Sequence, residues 1–157
     1  MATTNLSAYD KNELPAADHL QIGIVVAEWN ADITENLYLG AEATLLENGI
    51  PKTNITKLYV PGSYELIFGA KHLLKKNKFD AVIAIGCVIQ GETKHFDFVC
   101  EAVSQGIKDL NIQYDTPTIF CVLTDQTKSQ SIARSGGELG NKGVECAVAA
   151  IKMASLL

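Results

Sequence analysis

The chain has 157 residues, enough for one domain, with 47% hydrophobic and 20% charged residues. Its formal net charge of −5, and the lack of any basic cluster longer than Lys75-Lys76, argue against a nucleic-acid partner. No apolar run reaches membrane-spanning length, and residues 1–18 have neither a basic start nor an apolar core, so the expected location is cytoplasmic, with no membrane partner.

Residues 1–18 are polar and aperiodic, and read as an extended arm that a neighbour must hold. A single domain is expected over 19–157. Residues 20–27 are apolar and β-branched, which predicts a first strand ending at Glu28-Trp29-Asn30. Asp32 or Thr34 is the expected cap of the helix that follows. Ile33, Leu37, Ala41 and Leu45 recur there at helical spacing, and Asn48-Gly49 closes it. Neither a G-x-G-x-x-G loop nor a Walker lysine loop follows this strand, so a dinucleotide or P-loop site is not indicated.

Residues 55–60 predict a second strand, broken by Pro61-Gly62. Ser63-Tyr64-Glu65 then opens a helix expected to run to about residue 76. The third strand begins in the run Ala81-Val82-Ile83-Ala84-Ile85, whose near-continuous apolar character marks a strand covered on both faces. It continues through Val88-Ile89, turns at Gly91 and delivers Glu92, Thr93, Lys94 and His95 together. Phe96, Val99, Val103 and Ile107 share one face of the next helix. Residues 118–123 give a fourth strand and 127–134 a short helix. Residues 135–140 read as a flexible bend, and Asn141 as the cap of a last helix with Val144, Ala147, Val148 and Ile151 facing inward.

Strands alternating with helices in this order define an α/β fold, a parallel sheet with right-handed crossovers and helices on both faces. The carboxyl ends of the strands then lie along one edge, where open α/β sheets bind ligands. That edge gathers Trp29, Ser63, Glu65, the stretch from Cys87 to His95, and Thr124. An indole, a carboxylate, exposed backbone and an imidazole suit a flat polar heterocycle. Each residue also has a plainer reading. Glu65 complements a helix dipole, Trp29 or Phe120 plugs a core, and Arg134 caps the last carbonyls of a helix. Cys87 beside a buried strand reads as an inert thiol rather than a nucleophile. The four cysteines (Cys87, Cys100, Cys121, Cys146) form no C-x-x-C pair, so they are expected to be reduced, and no metal site is expected.

Three segments resemble the lumazine synthase family. They are Pro61-Gly62-Ser63-Tyr64-Glu65, the stretch from Gly86 to Asp97, and Arg134-Ser135-Gly136 with Gly140-Asn141-Lys142-Gly143. The resemblance covers about residues 20–156 and implies a three-layer sandwich, a four-stranded parallel flavodoxin-like sheet flanked by helices. It also implies an activity, the condensation of 5-amino-6-ribitylaminopyrimidinedione with 3,4-dihydroxy-2-butanone 4-phosphate. The products are 6,7-dimethyl-8-ribityllumazine, phosphate and water, a step of riboflavin biosynthesis.

By this resemblance Trp29 stacks on the pyrimidine ring, and Ser63, Tyr64 and Glu65 hold the ribityl chain and ring. The backbone of Cys87, Val88 and Ile89 reads the ring. Glu92 and Thr93 form the phosphate loop and Arg134 grips that phosphate. His95 transfers protons, Phe120 closes the pocket from a neighbouring subunit, and Lys142 lies beside it. Trp29 stands where phenylalanine is commoner, Glu92 where many members have a small residue, and Gln90 where many have a basic one. The Glu92 side chain is therefore expected in solvent.

No cofactor is implied, since no hydride or electron moves. Pentamers with sites between subunits are implied, which some members close into icosahedral capsids. The short bend after Arg134 favours a capsid, with riboflavin synthase as a further partner. Two other readings stay open, a non-catalytic flavin- or lumazine-binding module and a shell protein with a vestigial site.

Overall fold

A computed structural model describes residues 5–76 and 78–157. Residues 1–4 of the arm lie outside the described residues.

Four strands, β1 (Ile22–Ala27), β2 (Ile55–Val60), β3 (Ala81–Ile89) and β4 (Thr118–Asp125), form one all-parallel sheet in the order β2-β1-β3-β4. Helices α1 (Ala31–Glu47), α2 (Leu66–Leu74) and α3 (His95–Gln113) are the crossovers. After β4 come α4 (Lys128–Arg134), a small antiparallel hairpin of β5 (Ser135–Gly137) and β6 (Gly140–Asn141), and α5 (Lys142–Ala154). This is a three-layer α/β sandwich of flavodoxin-like type, as expected.

The period-two alternation of strand side chains divides the core. Ile24, Val26, Ile83 and Ile85 face α1 and α5, where Leu37, Leu45, Ala147 and Ile151 meet them. Val25, Val82, Ala84 and Val122 face α2 and α3, against Leu66, Leu73, Val103 and Ile107. Both faces of β1 and β3 are thus covered, which explains why these two strands read as unbroken apolar runs.

Five local expectations need correction. Neither Asp32 nor Thr34 caps α1. Asn30 takes the cap position in the left-handed conformation, with φ 58°, and makes no side-chain cap. The Thr34 hydroxyl donates instead to the Ala27 carbonyl at 2.8 Å, tying the helix back to β1. Helix α2 begins at Leu66 and ends at Leu74, because residues 63–65 form the turn that leads into it. The supposed flexible bend is the β5–β6 hairpin, which turns at Glu138-Leu139 and whose strands hold Gly136 and Gly140 at φ 107° and 85°. The buried stripe of α5 runs through Gly143, Cys146, Ala147, Ala150 and Ile151, leaving Val144 and Val148 only half-buried. The small residues are inside because α5 packs closely on α1: a Cβ on Gly143 would strike the Leu37 carbonyl.

The fifth correction concerns the arm, whose described part makes contacts of its own with the body of the chain. Tyr9 OH donates to Glu47 at 2.8 Å, and Ser7 Oγ both donates to Asn141 O at 3.1 Å and accepts from Asn141 N at 2.6 Å. Ala17 and Leu20 already belong to the core.

The edge strand β2 is guarded by charge, a common defence against strand pairing. Lys57 Nζ lies 3.7 Å from the centroid of the Tyr38 ring and 4.4 Å from that of Tyr59, and 2.8 Å from Glu35 Oε2. Tyr59 OH donates to Glu35, Tyr38 OH to Glu42, and Lys52 pairs with Glu42.

Candidate active site

Strand β3 outruns its neighbour. Its last pairing with β1 is Ile85 with Val26, whereas its pairing with β4 continues to Ile89 with Asp125. Beyond Ile85 one side of β3 is therefore open. Backbone groups alternate sides along a strand. Val82 N and Gln90 N both donate towards β4, so Cys87 and Ile89 point their N–H and C=O towards the gap. The Cys87 carbonyl is engaged there by Asn30 Nδ2 at 3.0 Å and Ser63 Oγ at 3.4 Å. Ile89 is left as the residue whose backbone meets the opening. Val88 turns its backbone to β4 and offers its side chain.

A slot of about 390 Å³ occupies this gap, lined by Trp29, Asn30, Ser63, Tyr64, Glu65, Cys87, Val88, Ile89, His95 and Val99. Eight of the sequence-predicted residues therefore meet in one place: Trp29, Ser63, Tyr64, Glu65, Cys87, Val88, Ile89 and His95.

Each is held by a local cause. Trp29 N donates to the Pro61 carbonyl at 3.0 Å, extending the β1–β2 pairing by a step. The indole crosses Gly62, where any Cβ would collide with the ring, and remains 66% exposed. Gly62 N in turn donates to Glu65 Oε2 at 3.0 Å, which aims this half-buried carboxylate. Gly86 lets the start of α2 approach: a Cβ there would lie 2.6 Å from Ser63 Oγ. His95 is the exposed first residue of α3, and its imidazole enters no hydrogen bond or ion pair among the described residues. Burial pushes the Cys87 thiol up, partly offset by a hydrogen bond to Ser131, so this sulfur is a poor nucleophile at neutral pH.

The remaining candidates stand elsewhere. Glu92 and Thr93 lie on the exposed turn before α3, outside the slot lining, with the Glu92 side chain in solvent. Arg134 and Lys142 share a second hollow of about 760 Å³ with Thr124, Asp125 and Gln126 at the end of β4. Lys142 Nζ is 2.8 Å from Glu145, while Arg134 enters no ion pair among the described residues. Phe120 sits on β4 opposite Ala84, upstream of the strand end, and lines neither hollow.

Sequence reasoning missed two residues of the slot, Asn30 and Val99. Asn30 had a readable signal, an asparagine between a strand and a helix, one of the few side chains that tolerate the left-handed conformation. Among the described residues no group of three His, Cys, Asp or Glu is placed to hold a metal, all four cysteines are free, and no helix is long and apolar enough to cross a membrane.

A doubly covered parallel sheet with an aromatic and polar slot at its strand ends belongs to the class of α/β proteins that bind flat heterocycles. Comparison with known proteins narrows that class. The family model for 6,7-dimethyl-8-ribityllumazine synthase matches residues 19–157, and the chain belongs to that family. A 6,7-dimethyl-8-ribityllumazine synthase of Flavobacterium johnsoniae is 63% identical, over 98% of this chain and 82% of the relative. The enzyme of that name from Christiangramia forsetii is 60% identical, over 99% and 95%. The one from Parabacteroides distasonis is 56% identical, over 98% and 97%.

Proposed function

We propose that this chain condenses 5-amino-6-ribitylaminopyrimidinedione with 3,4-dihydroxy-2-butanone 4-phosphate to give 6,7-dimethyl-8-ribityllumazine, phosphate and water. The observation that carries this reading is the meeting of Trp29 and His95 in one slot at the open end of β3, in a chain of this family. The exposed indole offers a face to the pyrimidine. The free backbone of Ile89 offers a donor and an acceptor to ring amides and carbonyls, as another strand would. Ser63, Tyr64 and Glu65 offer polar contacts to the ribityl chain.

Both reactants are intrinsically reactive, so the main task is to hold them adjacent, which supplies up to about 7–11 kcal/mol in favourable systems. The amine attacks the ketone, water leaves, phosphate is eliminated and the ring closes. His95, whose imidazole has no partner among the described residues, moves the protons, as an imidazole does near neutral pH. No redox cofactor enters this chemistry.

The phosphate end is built between copies. Arg134 and Lys142 stand in a hollow separate from the slot, and Phe120 lies in neither. A second copy that brings its Phe120, Arg134 and Lys142 to the slot of the first completes the site. Arginine's planar fork then holds the leaving phosphate in two parallel hydrogen bonds. Glu92 and Thr93, on the turn beside His95, contribute backbone and hydroxyl to the same phosphate. The assembly is a pentamer of residues 19–157, closing further into an icosahedral shell, with residues 1–18 as an N-terminal arm, in the cytoplasm and with riboflavin synthase as a further partner. The exposed Phe68 and Phe98 on α2 and α3 supply apolar surface for such contacts.

Mixing the protein with both substrates and following the yellow, fluorescent lumazine tests the reaction. Native mass then separates pentamer from shell. Tight binding of lumazine with no turnover would leave a binding module in its place.

A further inference from the structure

The slot and the second hollow are joined beneath the surface by three side chains that the condensation does not use directly. Cys87 Sγ donates to Ser131 Oγ at 3.4 Å, and Ser131 Oγ donates to Asp125 Oδ2 at 2.8 Å. Ser131 is fully buried and Asp125 is 8% exposed. The chain connects the end of β3, the middle of α4 and the last residue of β4.

Its direction follows from the chemistry of the groups. A carboxylate only accepts, so the single O–H of Ser131 donates to Asp125. The lone pairs of Ser131 are then what faces Cys87. Burial keeps that thiol protonated at neutral pH, and the Asp125 charge adds to the effect, so the S–H remains available as the donor.

Cys87 is the hinge point of the site. Here β3 has left its β1 partner, and Ile89, two residues on, carries the backbone that faces the opening. The Cys87 carbonyl is gripped by Asn30 and Ser63, and its sulfur is held from the other side by Ser131. A residue clamped on both sides sets the direction of the two that follow it. We propose that Ser131 and Asp125 are positioning residues for the pyrimidine substrate, acting through Cys87 to fix where the Ile89 backbone meets the ring. This rests on the reading of the slot as the pyrimidine site.

Helix α4 does not need the Ser131 hydroxyl to keep its place. Its start is fixed by a capping box between Thr127 and Gln130, and by Lys128 Nζ at 2.7 Å from Asp32. Arg134, one turn beyond Ser131, should therefore stay where it is when the hydroxyl is removed.

Steady-state kinetics on the assembled enzyme separate this role from a merely structural one. Ser131→Ala should raise KM for the pyrimidine about three- to ten-fold, the range expected for one lost hydrogen bond, with kcat and KM for the butanone phosphate within about two-fold. Asp125→Ala should raise KM for the pyrimidine by the same factor, while KM for the butanone phosphate should hold or fall, since a negative charge leaves the hollow of Arg134 and Lys142. Asp125→Asn, whose amide oxygen still accepts from the hydroxyl, should restore KM to within about two-fold of the parent. In a Cys87→Ala background, Ser131→Ala should add nothing, because the route is already cut.

Equal rises in both KM values, a change confined to thermal stability, or additive effects in the double variant each overturn the proposal. If Ser131→Ala does not fold, Asp125→Ala against Asp125→Asn makes the same comparison. A parent protein that forms no lumazine overturns the functional reading itself. A parent that turns over, beside a Ser131→Ala variant with unchanged KM, overturns only this inference.

Discussion

Two clusters of aromatic and charged side chains, one along the edge strand β2 and one beyond the strand ends, differ in that only the first is closed. At the β2 edge, Lys57 is sandwiched by Tyr38 and Tyr59 and paired with Glu35, and Glu42 is shared by Tyr38 and Lys52. Every polar group there has found a partner inside the cluster. In the slot, Trp29 is exposed, the His95 imidazole is unengaged among the described residues and the Ile89 backbone faces an opening. The residue types are alike, but the satisfaction of their bonds is not. A cluster that completes itself stabilises the fold, and one left incomplete is prepared for a ligand.

Substitutions on the two sides should therefore separate cleanly. The largest effect is expected at His95: His95→Ala should lower kcat about 100-fold or less while the melting temperature holds. Unchanged turnover would remove the imidazole from the mechanism. Arg134→Ala should raise KM for the phosphate substrate about 10- to 100-fold, the loss of a charge-assisted pair, with pyrimidine KM nearly intact. Equal losses for both substrates would contradict a role confined to the phosphate. Trp29→Ala should weaken pyrimidine binding about ten-fold, which isothermal titration reads directly.

The closed cluster should behave in the opposite way. Lys57→Met should cost about 1 kcal/mol in chemical denaturation, since the pair is partly exposed and screened, with both KM values unmoved. A kinetic change of several-fold would mean that the two clusters are coupled.

Acid should act on the same side. Burial alone would raise Glu35, but hydrogen bonds from Lys57 and Tyr59 hold it below its usual value near 4.5. Lys52 and Tyr38 do the same for Glu42, against a similar burial penalty. A carboxylate depressed in the folded state stabilises the fold above its unfolded pKa and loses that contribution as pH falls through the folded one. Denaturation midpoints should drop as pH falls below about 4.5, and Glu35→Gln should flatten the drop. An identical slope in that variant would place the acid sensitivity elsewhere.

Much of this organisation is written in local sequence. The apolar runs of β1 and β3 announce strands covered on both faces, and the helical spacing of Ile33, Leu37, Ala41 and Leu45 matches the buried face of α1. Because parallel strands must end along one edge, chain order alone places Trp29, Ser63, Glu65 and His95 near one another. What escaped the sequence depends on contacts between distant segments. The place of Asn30 between a strand and a helix is readable, but its hold on the Cys87 carbonyl, 57 residues away, is not. The hairpin after Arg134 looked like a bend because glycines signal turns without saying that two strands pair across them. The inward face of α5 was misread because its closeness to α1 favours small residues over valines. Separation of Arg134 from the slot is likewise a three-dimensional fact, since helix ends carry no address in composition.

That separation governs how the activity responds to dilution. On the proposed reading a single chain carries both a ring pocket and a phosphate grip, in two hollows that it holds apart. Specific activity is then a property of the oligomer and falls towards zero below its dissociation concentration. Two impaired variants, one lacking His95 and one lacking Arg134, then regain part of the lost turnover when co-assembled, because some junctions pair an intact half from each.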